Sequence, residues 1–250
     1  MLSWILLLAA ALAGGVANAL AGGGTFLIFP ALIFAGVAPI PANATSSVIT
    51  TPGGIASAWI YRKGNTVSTS LFRWLIAVSV IGGAIGSQLL VLTPSQRFAR
   101  MVPYLMLGAA LVFSFTNQFR KYAAEHTPER PHIALLIAGQ FLIAIYGGYF
   151  GAGMGVLSIV VFAISAGLGV QQSAGLRMWC ATGVNALAVV NFIARGLVDW
   201  RTAIPMLIAA VIGGFLGASA FKKLNPETAR RAVLVYAWTM GLWLLARSWQ

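Results

Sequence analysis

Two glycine clusters interrupt the apolar runs of this chain, Gly22-Gly23-Gly24 and Gly151-Ala152-Gly153-Met154-Gly155. Glycine inside a helix costs about 1 kcal/mol relative to alanine, so a cluster marks a place where the backbone leaves the helix for a reason. The surroundings suit a bilayer: 59% of residues are hydrophobic, 8% are charged and the mean hydropathy is +0.87, where a soluble domain carries roughly 25% charged residues. A broken helix in lipid leaves N–H and C=O groups that lipid cannot satisfy, so the break must be buried in protein or line a wet cavity. Two breaks at matching places in two halves of a chain point to a transporter's substrate site. The expected fold is an all-α integral membrane protein whose site lies where the breaks meet.

Charge narrows the class further. The net charge is +12, yet the basic residues sit at span ends and in short connections. Topology and anionic headgroups explain them there, and no nucleic acid is implied. Only Glu125, Glu129, Asp199 and Glu227 carry carboxylates, all in polar stretches between apolar runs. A proton relay of buried Asp, Glu or His is therefore not visible, which favours a facilitator or coupling through the substrate's own protonation. Cys180 is the single cysteine, so no intrachain disulfide is possible. His126 and His132 share one polar connection with Glu125 and Glu129; a solvated loop accounts for them, and neither metal nor cofactor is expected. No Ser/His, Cys/His or acidic dyad supports an intramembrane enzyme. A non-transporting scaffold would leave the polar, broken helices without a use.

The runs read in order as Ser3 to Leu20, the short Thr25 to Val37 containing Pro30, and Asn43 to Tyr61, then Leu71 to Leu92 and Met101 to Phe119. Residues 1–20 lack the basic start of a signal peptide and are kept as a membrane helix. Pro39 and Pro41 are read as the stop after the second run, and Asn43 or Thr45 as the cap of the third. After a polar connection at 120–131 the plan repeats: Ile133 to Tyr149, the short Gly155 to Leu168, Gln171 to about Arg195, Ala203 to Phe221 and Ala232 to Leu245. Partner positions support a duplication. Ile81-Gly82-Gly83 with Gly86 matches Ile212-Gly213-Gly214 with Gly217, Leu92-Thr93-Pro94 matches Leu224-Asn225-Pro226, Lys63-Gly64 matches Arg195-Gly196, and Gly22 matches Gly151, at offsets of 129 to 132 residues. The domain reading is one repeat at 1–119 and a second at 132–250, each of four or five transmembrane helices with a glycine-broken pair.

Their relative direction follows from counting. If each short run crosses, every half has five crossings and the second half is inverted; with the 62–73 connection inside, eleven basic residues fall in the cytoplasm and five outside. If each broken pair crosses once, there are eight spans, parallel halves and a count of nine against seven. The positive-inside rule favours the inverted arrangement.

Candidate binding residues follow from the breaks and the helix starts. Gly22, Gly23, Gly24, Gly151 and Gly153 supply unwound backbone. Asn43, Thr45 and Ser46 in one half, and Gln172 and Ser173 in the other, sit at expected helix starts, which bind anions through N–H groups; ordinary capping is the alternative. Arg177 aligns with Ser46 and lies just inside a helix. It either holds an oxyanion bidentately or snorkels to the headgroups. Asn185 is the amide expected to face the cavity, and Asn191 the one expected to bond between helices. Gly82, Gly83, Gly86, Gly213, Gly214 and Gly217 read as close helix packing.

The ordered set resembles the TauE/SafE family of sulfite exporters. The residues that carry the resemblance are Gly22-Gly23-Gly24, Thr45-Ser46, Gly151 to Gly155 and Gly196-Leu197-Val198-Asp199-Trp200, spread over about residues 14 to 245. The resemblance implies a bacterial inner-membrane, multi-pass permease for sulfite, sulfonates or related small anions, with the lipid bilayer as its other partner. Two departures bear on the substrate. Gly175-Leu176-Arg177-Met178 stands where the second repeat usually has a Thr-Ser pair, and Pro52 replaces an ordinary helix former.

Overall fold

A computed structural model describes residues 2–21, 23–60, 67–125, 131–168, 170–219 and 226–248. The described residues form eleven α-helices and no strand. In chain order they are α1 (Leu2–Ala21), α2 (Gly24–Phe34), α3 (Pro39–Ile60), α4 (Thr69–Leu92), α5 (Ser95–Ser114), α6 (Thr116–Glu125), α7 (Ile133–Tyr149), α8 (Met154–Ala166), α9 (Val170–Ala194), α10 (Trp200–Ser219) and α11 (Pro226–Ser248).

Local chemistry explains most boundaries. Ser68 caps α4 by accepting from the Leu71 amide at 3.3 Å, and Gly167, at φ 62°, ends α8 in the left-handed region that glycine tolerates. Three expected boundaries are corrected. Helix α3 begins at Pro39, not at Asn43, with the Ala42 amide already bonded to Ala38 O at 2.8 Å. A proline lacks only an N–H that the first turn would leave unpaired, so Pro39 and Pro41 start a helix instead of stopping one. The amides of Asn43 to Ser47 are thus not free helix-start donors. Helix α5 likewise begins directly after Pro94, ahead of the expected start at Met101, and breaks at Phe115 before α6 enters the polar connection. Helix α11 starts at Pro226, six residues before its apolar run.

Glycines set how closely the helices approach. A methyl built on Gly86 would overlap Ile145 O and come 2.8 Å from Tyr149 N; one on Gly82 would lie 2.6 Å from Ala144 Cβ. Helices α4 and α7 therefore touch backbone to backbone and run in the same direction, since 82 faces 144 and 86 faces 149. Helices α1 and α10 do the same: Gly213 meets Leu12 and Gly217 meets Val16. Contacts also place α9 alongside α4 in one direction, through Phe72 on Trp179 and Ser87 accepting from Asn191 Nδ2 at 3.1 Å. Helices α3 and α10 start at one end of the bundle, where Thr45 Oγ1 accepts the Asp199 amide at 3.0 Å. Each short helix folds back on its predecessor. In α1–α2, Gly24 packs on Gly14 and Asn18. In α7–α8, Ser158 Oγ donates to Gln140 Oε1 at 3.1 Å and Ser165 O accepts the His132 amide at 2.7 Å.

The outer surface is that of a membrane protein. Trp74, Leu142, Ile204, Phe215 and Val235 are all more than half exposed, a density of outward apolar side chains that water does not tolerate but lipid does. By length and apolarity alone, Thr69–Leu92, Gly175–Ala194 and Trp200–Gly217 are long enough to cross a bilayer.

At the start of α11, Glu227 accepts from Arg230 at 2.7 and 2.9 Å, from Arg231 at 3.1 Å and from Asn117 at 3.2 Å. Arg230 Nη1 also donates to Phe113 O at 3.3 Å, in the last turn of α5, where a helix end favours a cation. The Arg230 hydrogen bonds, then that of Asn117, hold the Glu227 carboxyl down from 4.5 to about 2. A depressed carboxylate contributes stability that is present above its ordinary value and lost as pH falls through the depressed one. Thermal stability is thus expected to decline as pH drops from about 4.5 toward about 2. Glu227→Gln should remove part of that slope, and identical acid profiles for the variant and wild type would show that the pin carries no stability.

Candidate functional site

The turn of the second hairpin, with Asn18 of α1 and Thr25 of α2, lines a polar cavity of about 60 Å³. In the second turn, Gly151 and Gly153 take φ of 81° and 76°, which a side chain would strain. Its backbone is bonded within the hairpin: Tyr146 Oη donates to Ala152 O at 2.6 Å, the Met154 amide donates to Gly151 O at 3.3 Å, and the Gly151 amide donates to Tyr146 O at 3.2 Å. Asn43 Nδ2 donates to Tyr149 O at 3.1 Å and so ties α3 to this turn. Asn43 Oδ1 is buried with no hydrogen-bond partner among the described residues.

Four helices present polar groups to the cavity. Helix α9 contributes Arg177, Ala181 and Asn185, spaced one turn apart on one face. Helix α3 contributes Ser47, Thr50, Thr51 and Gly54, α1 contributes Asn18, and α2 contributes Thr25. The hydroxyls of Ser47, Thr50, Thr51 and Thr182 donate to carbonyls of their own helices at 2.7 to 3.0 Å. Their hydrogens are therefore engaged, and the other side-chain donors among the lining residues are the Arg177 guanidinium, the Asn18 and Asn185 amides and the Thr25 hydroxyl. Arg177 is only 8% exposed. Among the described residues no carboxylate lines the cavity. A buried cation without a carboxylate in its cavity suits an oxyanion, which a guanidinium holds through two parallel hydrogen bonds.

Gly155 makes room for that cation. A methyl on it would lie 3.1 Å from Arg177 Nη1 and 3.2 Å from Cδ. Gly155→Val is expected to push the guanidinium aside and weaken binding of a test oxyanion by the purified protein about tenfold, with size-exclusion and circular-dichroism profiles unchanged. Wild-type binding in that variant would show that the Arg177 position is not critical.

A polar cavity inside a bundle of apolar helices is what a membrane transporter needs, and sequence kinship agrees. The sulfite exporter TauE/SafE family matches residues 6–244. This chain belongs to that family. Its relatives include a probable membrane transporter protein of Haemophilus influenzae, 24% identical over 225 residues, which cover 89% of this chain and 87% of the relative. The probable membrane transporter protein YfcA of Escherichia coli K12 is 24% identical over 248 residues, covering 99% of this chain and 91% of the relative. The YunE protein of Bacillus subtilis, also a probable membrane transporter, is 24% identical over 250 residues, covering 91% of this chain and 92% of the relative. Membership of the TauE/SafE family makes the molecule a membrane transporter.

The cavity gathers some of the sequence candidates and not others. Gly151, Arg177 and Asn185 line it. Gly153 packs instead on Ala109 and Phe26, and Gly23 on Val233 and Phe113. Gly24 is inside α2 against Gly14, and Gly22 lies outside the described residues. Thr45 is buried on the Asp199 amide, Ser46 donates to Asn43 O at 3.0 Å, and Ser173 donates to Leu168 O at 3.1 Å. The backbone of Gln172 is in α9, and its side chain lies outside the described residues. Asn191 bonds Ser87, the interhelical role expected of it. Sequence reasoning passes over Asn18 as a site residue, although its standing as the only amide in an otherwise apolar run is a usable signal.

Proposed function

We propose that this TauE/SafE protein is a permease for a small anion, sulfite, a sulfonate or a related organic anion. The anion binds between Arg177, Asn18 and Asn185, and passes by alternating access of two inverted repeats at 1–119 and 132–250. The observation that carries the anion is the buried guanidinium in a cavity that no described carboxylate lines. Two further features support the inverted repeats. Exchanging each helix for its counterpart turns the close pair α1–α10 into the close pair α7–α4. Helices α4, α7 and α9 share one direction, whereas α10, α1 and α3, their counterparts, share the other. Five alternating passes per half produce this reversal, and the excess of basic residues assigns the end carrying 67–68 and 115–116 to the cytoplasm.

Purified protein in liposomes, loaded with labelled sulfite or methanesulfonate, tests the class. Saturable flux above empty liposomes is the expected result. No flux of any small anion, with the protein folded and inserted, would overturn the reading.

A further inference from the structure

A second cavity of about 120 Å³ adjoins the polar one, between α1, α3 and α10. Asn18 and Thr50 line both, so the two spaces share a wall. The chemistry changes across it. Beyond Asn18 the walls are Ile28, Ile49, Pro52 and, at the outer edge, Phe215, together with Ser57 and small residues of α1, α3 and α10, and no charged side chain lines the space among the described residues. The floor at Gly53 is open: a methyl there would find its nearest neighbour, Asn18 Nδ2, at 3.9 Å.

We infer that the substrate is an anion with a short uncharged, apolar tail, and that Gly53 sets the length of tail accepted. This rests on the anion reading above and specifies it. The head lies with Arg177 and Asn185, and the tail passes between Asn18 and Thr50 into the apolar space. At roughly 30 Å³ per water-sized group, about four such groups fit there. A bare oxyanion leaves this space unused. A tail with its own ammonium or carboxylate would carry a charge into mostly apolar walls that offer it no opposite charge, which is strongly unfavourable.

The test is a binding series on purified wild-type protein by titration calorimetry, with methane-, ethane-, propane- and butanesulfonate, sulfite, 2-aminoethanesulfonate and sulfoacetate. Affinity should rise about fourfold for each added methylene, the effect of burying one such group. The two charged-tail sulfonates should bind at least tenfold more weakly than ethanesulfonate. Gly53→Val adds bulk in open space, and the matching Val184 is already accommodated in α9 against Gly147. That variant should erase the gain from longer tails while leaving methanesulfonate within about twofold. Affinity independent of tail length, or charged tails binding as well as apolar ones, would overturn the inference while leaving the anion reading intact. Binding of no anion at all, sulfite included, would overturn both. The wild-type series decides the matter even if the variant does not fold.

Discussion

Arg177→Ala is expected to lower anion flux at subsaturating substrate on the order of ten- to a hundredfold, with the protein still folded and inserted. The magnitude follows from what is removed. Hydrogen bonds to a charged group contribute about 1.5–3 kcal/mol, and each 1.4 kcal/mol is about tenfold in affinity. Nothing nearby can replace the cation, because Ser47, Thr50, Thr51 and Thr182 already donate to their own helices and the amides carry no formal charge. Arg177→Lys should fall between the alanine variant and wild type, since it keeps the charge and loses the planar fork that grips an oxyanion at two points. Initial rates in liposomes, with insertion checked by flotation, measure both. Equal flux in wild type and Arg177→Ala would remove the guanidinium from the site and leave it a headgroup anchor.

The second large effect is on stability. Gly86→Ala and Gly148→Ala are each expected to lower the apparent melting temperature in detergent by about 5 °C or more. A methyl on Gly86 overlaps Ile145 O, and one on Gly148 overlaps Gly83 O; both obstacles are backbone, which cannot rotate away. Overpacking of this kind costs about 1–3 kcal/mol, and about 2–4 °C accompanies each kcal/mol in a chain of this size. Gly108→Ala is the control. It sits in α5 with nothing within 4 Å of the added methyl, so it should leave the melting temperature unchanged or raise it slightly through better helix propensity. If all three variants melted alike, the glycine contacts between α4 and α7 would not be what holds those helices together.

The glycine stripes at 82–86 and 213–217 are legible as packing surfaces in the amino-acid sequence, because a stripe of small residues on an apolar helix has few other uses. Their partners are not legible there. Gly83 meets α9 at Val184 and α7 at Gly148, choices that depend on how four helices rotate against one another. Thr45 illustrates the same divide. Its hydroxyl suggests an anion-binding helix start, yet it accepts from the Asp199 amide, 154 residues away. Pro39 misleads for a different reason, since proline fits both the end of one helix and the first turn of the next.

Composition and local pattern alone determined that the chain is a bundle of apolar helices with two interruptions, that its spans hold almost no acidic residues, and that Arg177 is an unusual cation inside one of them. These are properties of short stretches, set by backbone hydrogen-bonding needs and by the cost of exposing polar groups to lipid. Only the tertiary structure decided that Arg177, Asn18 and Asn185 share a cavity and that an apolar space adjoins it. The reason is physical: which face of a helix meets which neighbour is fixed by long-range close packing, where a few glycine contacts select one rotation and one direction out of many that the sequence pattern permits.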